Sequence, residues 1–341
     1  MGADGTRTGD LIVGVQRPPE IIRTLSTAVV PCRCVCVVAE LGVADEIEDE
    51  PVSVDELASR CDADADALNR VLRLLASYGI FRRVGRAYAH TPASRLLRSD
   101  DPMSMRAFAR MWGTPMFSTV FSNLEHSVRT GAPALEANGP WDYYFQDHPD
   151  EAQIFAQGMS ARASVDIAAV LDAFDFSRYG TIADIGGGRG LLLRAVLEVT
   201  PGSKGVLFDL PTVIDALDLQ DERLTTQAGD FFVDSLPVAD AYLLMDVLHD
   251  WDDAHCAAIL SAIRRAAAPG ATVLVIENVL GEQEEEQAKR RNTVDVVMLA
   301  ATGGRERTAN ELSSLFNRAG FSNGAVTDTS GPIRIVEARA I

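Results

Sequence analysis

The sequence predicts a two-part protein: a mostly helical N-terminal domain in winged-helix order, then a doubly wound, Rossmann-like α/β domain. Three observations carry this prediction. A glycine-rich turn, Asp184-Ile-Gly-Gly-Gly-Arg-Gly190, joins the apolar run Thr181-Ile182-Ala183 to a helical pattern starting at Leu191. Strand-like runs alternate with helical patterns from there to the C-terminus, the mark of a parallel sheet covered on both faces. The first hundred residues instead read helix, turn, helix, β-hairpin.

With 341 residues the chain can hold two cores, and its 47% hydrophobic and 23% charged residues are those of a soluble globular protein. A formal charge of −18 argues against a nucleic-acid partner, which would need clustered Lys and Arg. Cys32, Cys34 and Cys36 stand at i, i+2 and i+4, do not share a helix face and have no nearby His, so no metal is expected. Residues 1–17 are polar and glycine-rich and read as a flexible tail. Asp4, Asp10 and Glu20 argue against a signal peptide, and Pro31, Arg33 and Glu40 interrupt the apolar stretch Leu25–Leu41, so no membrane span is expected. The expected location is the cytoplasm.

Taken in order, Pro18 to Leu41 reads as one helix, apolar around much of its circumference through Ile21, Ile22, Leu25, Val29, Val30, Val35 and Val38. A helix of that kind is buried against another subunit, which predicts a homodimer. Ser53 with Glu56 reads as a capping box. A second helix runs through Leu68, Val71, Leu72, Leu74 and Leu75 to Gly79, and Ile80–Val84 turns at Gly85 into Ala87–Ala89. A DNA-binding winged helix would use Arg70, Arg73, Arg82 and Arg83, but Asp62, Asp64 and Asp66 precede the recognition helix and would repel phosphate. Residues 18–100 are therefore read as a dimerisation domain. Residues 101–177 read as a helical linker and substrate-capping region with aromatic interruptions at Phe108, Trp112, Phe117, Phe121, Trp141, Tyr143, Tyr144, Phe145 and Phe155. Residues 178–341 form the α/β domain, with strands expected at Thr181–Asp184, Lys204–Asp209, Leu224–Ala228, Ala241–Met245, Thr272–Glu277 and Arg334–Ala338. A short acidic loop is expected at Glu282–Glu286.

A dinucleotide fingerprint, Gly-x-Gly-x-x-Gly, would place its third glycine on Leu191. The spacing here is acid-x-Gly-x-Gly-x-Gly, through Asp184, Gly186, Gly188 and Gly190. An acid at the strand end repels a pyrophosphate and suits a ligand with an ammonium group, such as S-adenosylmethionine. Asp209 and Asp230 follow the next two strands, on the edge where open α/β sheets bind ligands. Asp209 is placed to accept from ribose hydroxyls and Asp230 from an adenine amino group, while Phe231 or Phe232 covers a ring face. The next strand delivers His249 four residues beyond its end, positioned as a general base. Glu277 and Glu306 are the candidates to fix its other ring nitrogen, and Asp252 or Asp253 to cap the helix from Ala254.

At this point the chain resembles the S-adenosylmethionine-dependent small-molecule O-methyltransferases of the caffeate/isoflavone type, in their bacterial natural-product branch. The resemblance rests on Leu248-His-Asp-Trp251, Arg305-Glu-Arg-Thr308, Ala319-Gly-Phe321, Leu57-Ala58 and the run Leu72–Phe81, and it covers nearly the whole chain. It implies a winged-helix dimerisation domain, a Rossmann-like methyltransferase domain, and His249 as base flanked by Glu277 and Glu306. It further implies that Trp251 lies near the adenine, and that Phe155, Met159 and Met298 line a pocket for a hydroxylated aromatic or polyketide-like acceptor. Met245 departs from the lysine of many relatives and can only pack or use its backbone. The alternatives weighed against methyl transfer are hydroxylation or decarboxylation on the same scaffold, and a winged-helix regulator that senses S-adenosylmethionine.

Overall fold

The computed structural model describes residues 17–134, 147–218, 221–281 and 285–341. The tail up to residue 16, the aromatic residues Trp141, Tyr143, Tyr144 and Phe145, and positions 282–284 of the acidic loop lie outside the described residues. The chain divides into two compact units, Met1–Ser99 and Asp100–Ile341.

In the first unit the N-terminal apolar stretch forms two helices, Pro18–Ser26 and Val29–Glu40, not one. Ile22, Leu25, Val29 and Val30 are exposed on them, while Cys36, Val38 and Ala39 pack inward. Ser53 caps the helix Val54–Arg60 by accepting from the Glu56 N–H at 3.2 Å. The expected capping box is not completed: the Glu56 carboxylate pairs with Arg60 one turn on instead. Asp64 caps Ala65–Ser77, whose Leu68, Leu72 and Leu75 are buried at helical spacing. Strands β1 (Val52–Ser53), β2 (Phe81–Val84) and β3 (Ala87–His90) form an antiparallel sheet in the order β1-β3-β2.

The second unit is built on a twisted sheet of β4 (Thr181–Ile185), β5 (Lys204–Asp209), β6 (Leu224–Ala228), β7 (Ala241–Met245), β8 (Thr272–Leu280), β9 (Arg307–Thr308), β10 (Phe321–Asp328) and β11 (Ile333–Ala340). Its order is β10-β11-β8-β7-β4-β5-β6, with β9 beside β8. Strands β4 to β8 run parallel, and β11 and β10 close the far edge antiparallel. Alternate residues serve opposite faces. Ala183, Ile185, Tyr242, Leu244, Val273 and Val275 pack with Ile259, Ile263, Leu312 and Phe316. Ile182, Ala241, Leu243, Leu274 and Ile276 pack with Val170, Leu193, Val196 and Leu197. After β4 the chain builds outward through β5 and β6, then returns to place β7 on the other side of β4. The crevice between the ends of β4 and β7 is thus the topological switch point, where such sheets hold ligands.

Candidate active site

The glycine turn leaves β4 at that crevice. Gly186, Gly188 and Gly190 have φ of +69°, +58° and +69°, a left-handed conformation that side chains with a Cβ rarely adopt. Space is also tight at Gly186 and closed at Gly187. A Cβ on Gly186 would stand 3.2 Å from Val247 and 3.8 Å from Phe231, and one on Gly187 would stand 2.5 Å from the Asp184 carboxyl. Under this cradle Asp184 is 1% exposed, and its Oδ2 has no hydrogen-bond partner. Burial, reinforced by the neighbouring Asp209, raises its pKa to about 7. A buried, unpaired carboxyl oxygen beneath half-buried glycine backbone fits the cationic amino-acid head of S-adenosylmethionine.

The neighbouring strand ends hold the other expected cofactor residues. Asp209 accepts from the Gly188 and Leu210 N–H groups, both at 2.7 Å, and burial still holds its pKa above the ordinary value. Asp230 uses Oδ1 to hold the Phe232 N–H in a turn at 2.8 Å. Phe231 and Phe232 meet Trp251 edge to face, with ring centroids 6.1 and 4.9 Å away, so the three rings gather beside the glycine turn. Met245 packs on the apolar cluster around Leu243.

His249 lies in a short 3₁₀ turn, Leu248–Asp250, just past β7, and is 3% exposed. Its Nδ1 is 3.0 Å from Glu306 Oε1. A carboxylate there holds the proton on Nδ1 and leaves Nε2 as the reactive nitrogen. Glu277 takes the other part of the expected pair differently. Its Oε1 accepts the backbone N–H groups of Val247, Leu248 and His249 at 3.1, 2.6 and 3.2 Å, so it fixes the turn and not the ring. Burial, with the nearby acids, raises Glu277 to about 7. Burial by itself would lower the His249 pKa. The carboxylates of Asp250, Glu306, Asp246 and Glu277 outweigh it and raise that value to about 10.

Two residues that sequence reasoning left without a role hold the turn from outside. Arg307, 1% exposed, donates from Nη1 to the Leu248 carbonyl at 2.9 Å and from Nη2 to the Trp251 carbonyl at 2.7 Å. It also binds Asp253, while Asp252 caps the helix Asp253–Ala266. Gly304 passes so close to the backbone of His249 and Asp250 that no Cβ fits between them. The Arg305 N–H then donates to the His249 carbonyl at 2.8 Å. The block Arg305–Thr308 carried only a resemblance in the sequence; its spacing does not reveal a clasp.

The expected acceptor residues are partly brought together. Phe155 and Met159, on the helix Pro149–Ala173, pack on a cluster of Met111, Met116, Phe117 and Val120 with Phe108, Trp112 and Phe121. Gly158 lets this helix approach Met111 closely, where a Cβ would stand 2.9 Å from that side chain. Ala300 and Ala301 of the helix Glu285–Ala301 join the same cluster. Met298 lies one turn earlier, half-buried, and is not among the cluster residues.

With this geometry established, comparison with known proteins is decisive. Residues 121–322 match the O-methyltransferase domain, and residues 24–100 match the O-methyltransferase dimerisation domain. The chain belongs to the S-adenosylmethionine-dependent O-methyltransferases. It is 38% identical over 314 residues to the phenazine O-methyltransferase of Lysobacter antibioticus, covering 89% of this chain and 91% of that one. It is 35% identical to the mitomycin biosynthesis 6-O-methyltransferase of Streptomyces lavendulae, with 90% of each covered. Among solved structures, the methyltransferase of calicheamicin biosynthesis in its SAH-bound form superposes with a TM-score of 0.87 at 33% identity, covering 95% of this chain and 98% of that one. This O-methyltransferase therefore has the Rossmann-like catalytic fold with a helical dimerisation domain, and S-adenosylmethionine is its methyl donor.

Proposed function

We propose that this O-methyltransferase methylates a hydroxyl group of an aromatic or polyketide-like small molecule, with His249 as general base. The single observation that carries the base is the buried Nδ1–Glu306 contact at 3.0 Å, which commits one ring nitrogen and leaves Nε2 for the acceptor. The relatives named for phenazine and mitomycin methylation support a flat, apolar acceptor, as does the aromatic cluster beside Phe155 and Met159. In this reading Asp184, Gly186, Gly188, Asp209, Asp230, Phe231 and Trp251 hold the cofactor, Phe155, Met159 and Met298 line the acceptor pocket, and residues 101–177 cap it.

Bound S-adenosylmethionine supplies an electrophilic methyl group on a positively charged sulfur. His249 Nε2 takes the acceptor's hydroxyl proton and so frees the oxygen for the methyl group that bound S-adenosylmethionine would give up, leaving as S-adenosylhomocysteine. Glu306 and the acids around His249 stabilise the imidazolium as it forms. Phe231, Phe232 and Trp251 exclude water from the crevice. Incubation with S-adenosylmethionine and a panel of phenols, hydroxynaphthoates and hydroxyphenazines is expected to give methyl ethers in step with S-adenosylhomocysteine. Product that lacks a new O-methyl group would overturn the reading.

The pKa of Asp184 makes cofactor binding depend on pH. The free acid is protonated below about 7, and a bound ammonium group favours its carboxylate. Affinity for S-adenosylhomocysteine should therefore weaken as pH falls from 8 to 6, with a proton released on binding. Asp184→Asn should flatten this dependence and weaken binding about tenfold or more. Calorimetry at several pH values checks both, and a pH-independent wild-type Kd would refute the assignment.

We further infer that a second copy of the chain covers the exposed face of Ile22, Leu25, Val29 and Val30 in a cytoplasmic homodimer. The stretch Pro18–Glu40 is long and apolar enough to cross a bilayer, but the dimerisation-domain match at 24–100 favours a subunit partner. Sedimentation equilibrium should give twice the chain mass; a monomer would contradict it.

A further inference from the structure

Asp246, the first residue beyond β7, has φ +53°, a left-handed conformation that glycine favours and other residues adopt less often. Strained backbone of this kind persists where the surroundings require it, and often at a working site. Its Oδ2 accepts from Arg162 Nη2 at 2.7 Å, an ion pair in which both side chains are largely buried. Its Oδ1 is buried, makes no hydrogen bond, and lies 4.0 Å from His249 Nδ1. Glu306 Oε2, on the same side of the imidazole, is likewise buried without a partner. Two carboxylates thus meet Nδ1, Glu306 by a hydrogen bond at 3.0 Å and Asp246 by a charge contact at 4.0 Å.

We propose that Asp246, held in place by Arg162, is a second positioning carboxylate for His249, adding its charge on the Nδ1 side of the imidazolium to the hydrogen bond that Glu306 makes there. The idea rests on the reading of His249 as the base. It gives Asp246 the place beside the ring that Glu277, occupied with the backbone, does not take. Arg162 lies on the helix that carries Phe155 and Met159, three residues beyond Met159, so the helix that touches the acceptor cluster also sets the position of Asp246. Arg162 is itself fixed by Asp166 at 3.5 Å, and Asp166 has Arg290 at 3.8 Å. The charged groups facing His249 are Asp246 and Asp250 from its own loop, Glu277 from β8, and Glu306 from the segment before β9. Arg162 offsets Asp246 from the Pro149–Ala173 helix.

The test is the pH profile of kcat/KM for a weakly acidic phenol in Asp246→Asn, Asp246→Gly and the double variant Arg162→Met/Asp246→Asn. Removing an anion beside an imidazolium lowers its pKa. The acid limb should move down by about one pH unit in each single variant. On the plateau above that limb the weaker base should turn this phenol over about threefold more slowly, with no loss on a nitrophenol already ionised at the assay pH. Glycine suits the left-handed position, so Asp246→Gly should fold and show the same shift even if the asparagine variant does not. Because Arg162 acts through Asp246, the double variant should lose no more turnover than Asp246→Asn alone. An acid limb that stays in place in both single variants, or a further loss in the double variant beyond that of Asp246→Asn, would overturn the proposal. Failure of the base reading is distinguishable: there His249→Ala would itself keep wild-type turnover.

Discussion

His249→Ala is expected to lower kcat by about 10²–10⁴-fold while leaving the affinity for S-adenosylhomocysteine nearly unchanged. The geometry makes this substitution a clean one. The turn around residue 249 is held through its backbone, by Glu277 on the N–H groups and by Arg305 on the carbonyl. Alanine keeps all of these contacts and removes only the imidazole. The pH behaviour should change too. With its pKa raised to about 10 by the surrounding carboxylates, His249 is an imidazolium in the free site at neutral pH. It must give its extra proton up to solvent before Nε2 can take the one on the acceptor's hydroxyl, which then leaves an imidazolium–phenolate pair. Wild-type kcat/KM should accordingly climb as pH rises through neutrality, whereas His249→Ala should follow only the ionisation of the acceptor. Glu306→Gln should fall between the two: an amide can donate to Nδ1 and so favour the tautomer in which Nε2 cannot accept. Steady-state kinetics between pH 6 and 10 decide the matter, and full His249→Ala turnover at neutral pH would remove His249 from the chemistry.

How far the site was legible depends on the range of the signal. Asp184, Gly186 and Gly188 could be read because a tight strand-to-helix turn permits few spacings, and Ile182 to Ile185 alternate between two buried faces as a central strand must. Strand β10 escaped notice because Ser322 to Val326 are all exposed; an edge strand has no buried face to impose alternation. The break after Ser26 was hidden by apolar residues on both sides of it. The sequence offers Glu277 and Glu306 alike for the ring, since a pattern cannot tell whether a carboxylate meets a ring or three N–H groups. Asp246 and Arg162 are 84 residues apart in sequence, and nothing local announces that one strand end and one helix will bring them to 2.7 Å. The clasp through Arg307 has the same character: its acceptors are backbone carbonyls, which leave no residue signature.

Arg307 carries the other large expectation, because its guanidinium is the shared charged donor to two carbonyls of the turn. Its planar fork reaches Leu248, Trp251 and Asp253 at once, at distances of 2.7 to 3.0 Å. Arg307→Met would leave two carbonyls short of their charged donor, although Cys256 Sγ also contacts both. The expected cost is about 3 kcal/mol or more, a fall in Tm on the order of 5–10 °C. Arg307→Lys should recover only part of this, since one ammonium cannot reproduce the fork. The effect on rate should exceed the effect on folding at temperatures where the variant remains folded. A turn free to shift by about 1 Å carries Nε2 out of line with the acceptor, which costs about 100-fold in kcat. Gly304→Ala forces the same displacement from the other side, since its Cβ would overlap the His249 carbonyl. Both variants act through His249, so combining either with His249→Ala should add little further loss of turnover. Thermal unfolding and single-turnover rates on the folded variants separate the two effects; an Arg307→Met enzyme with wild-type Tm and rate would show that the turn is held without Arg307.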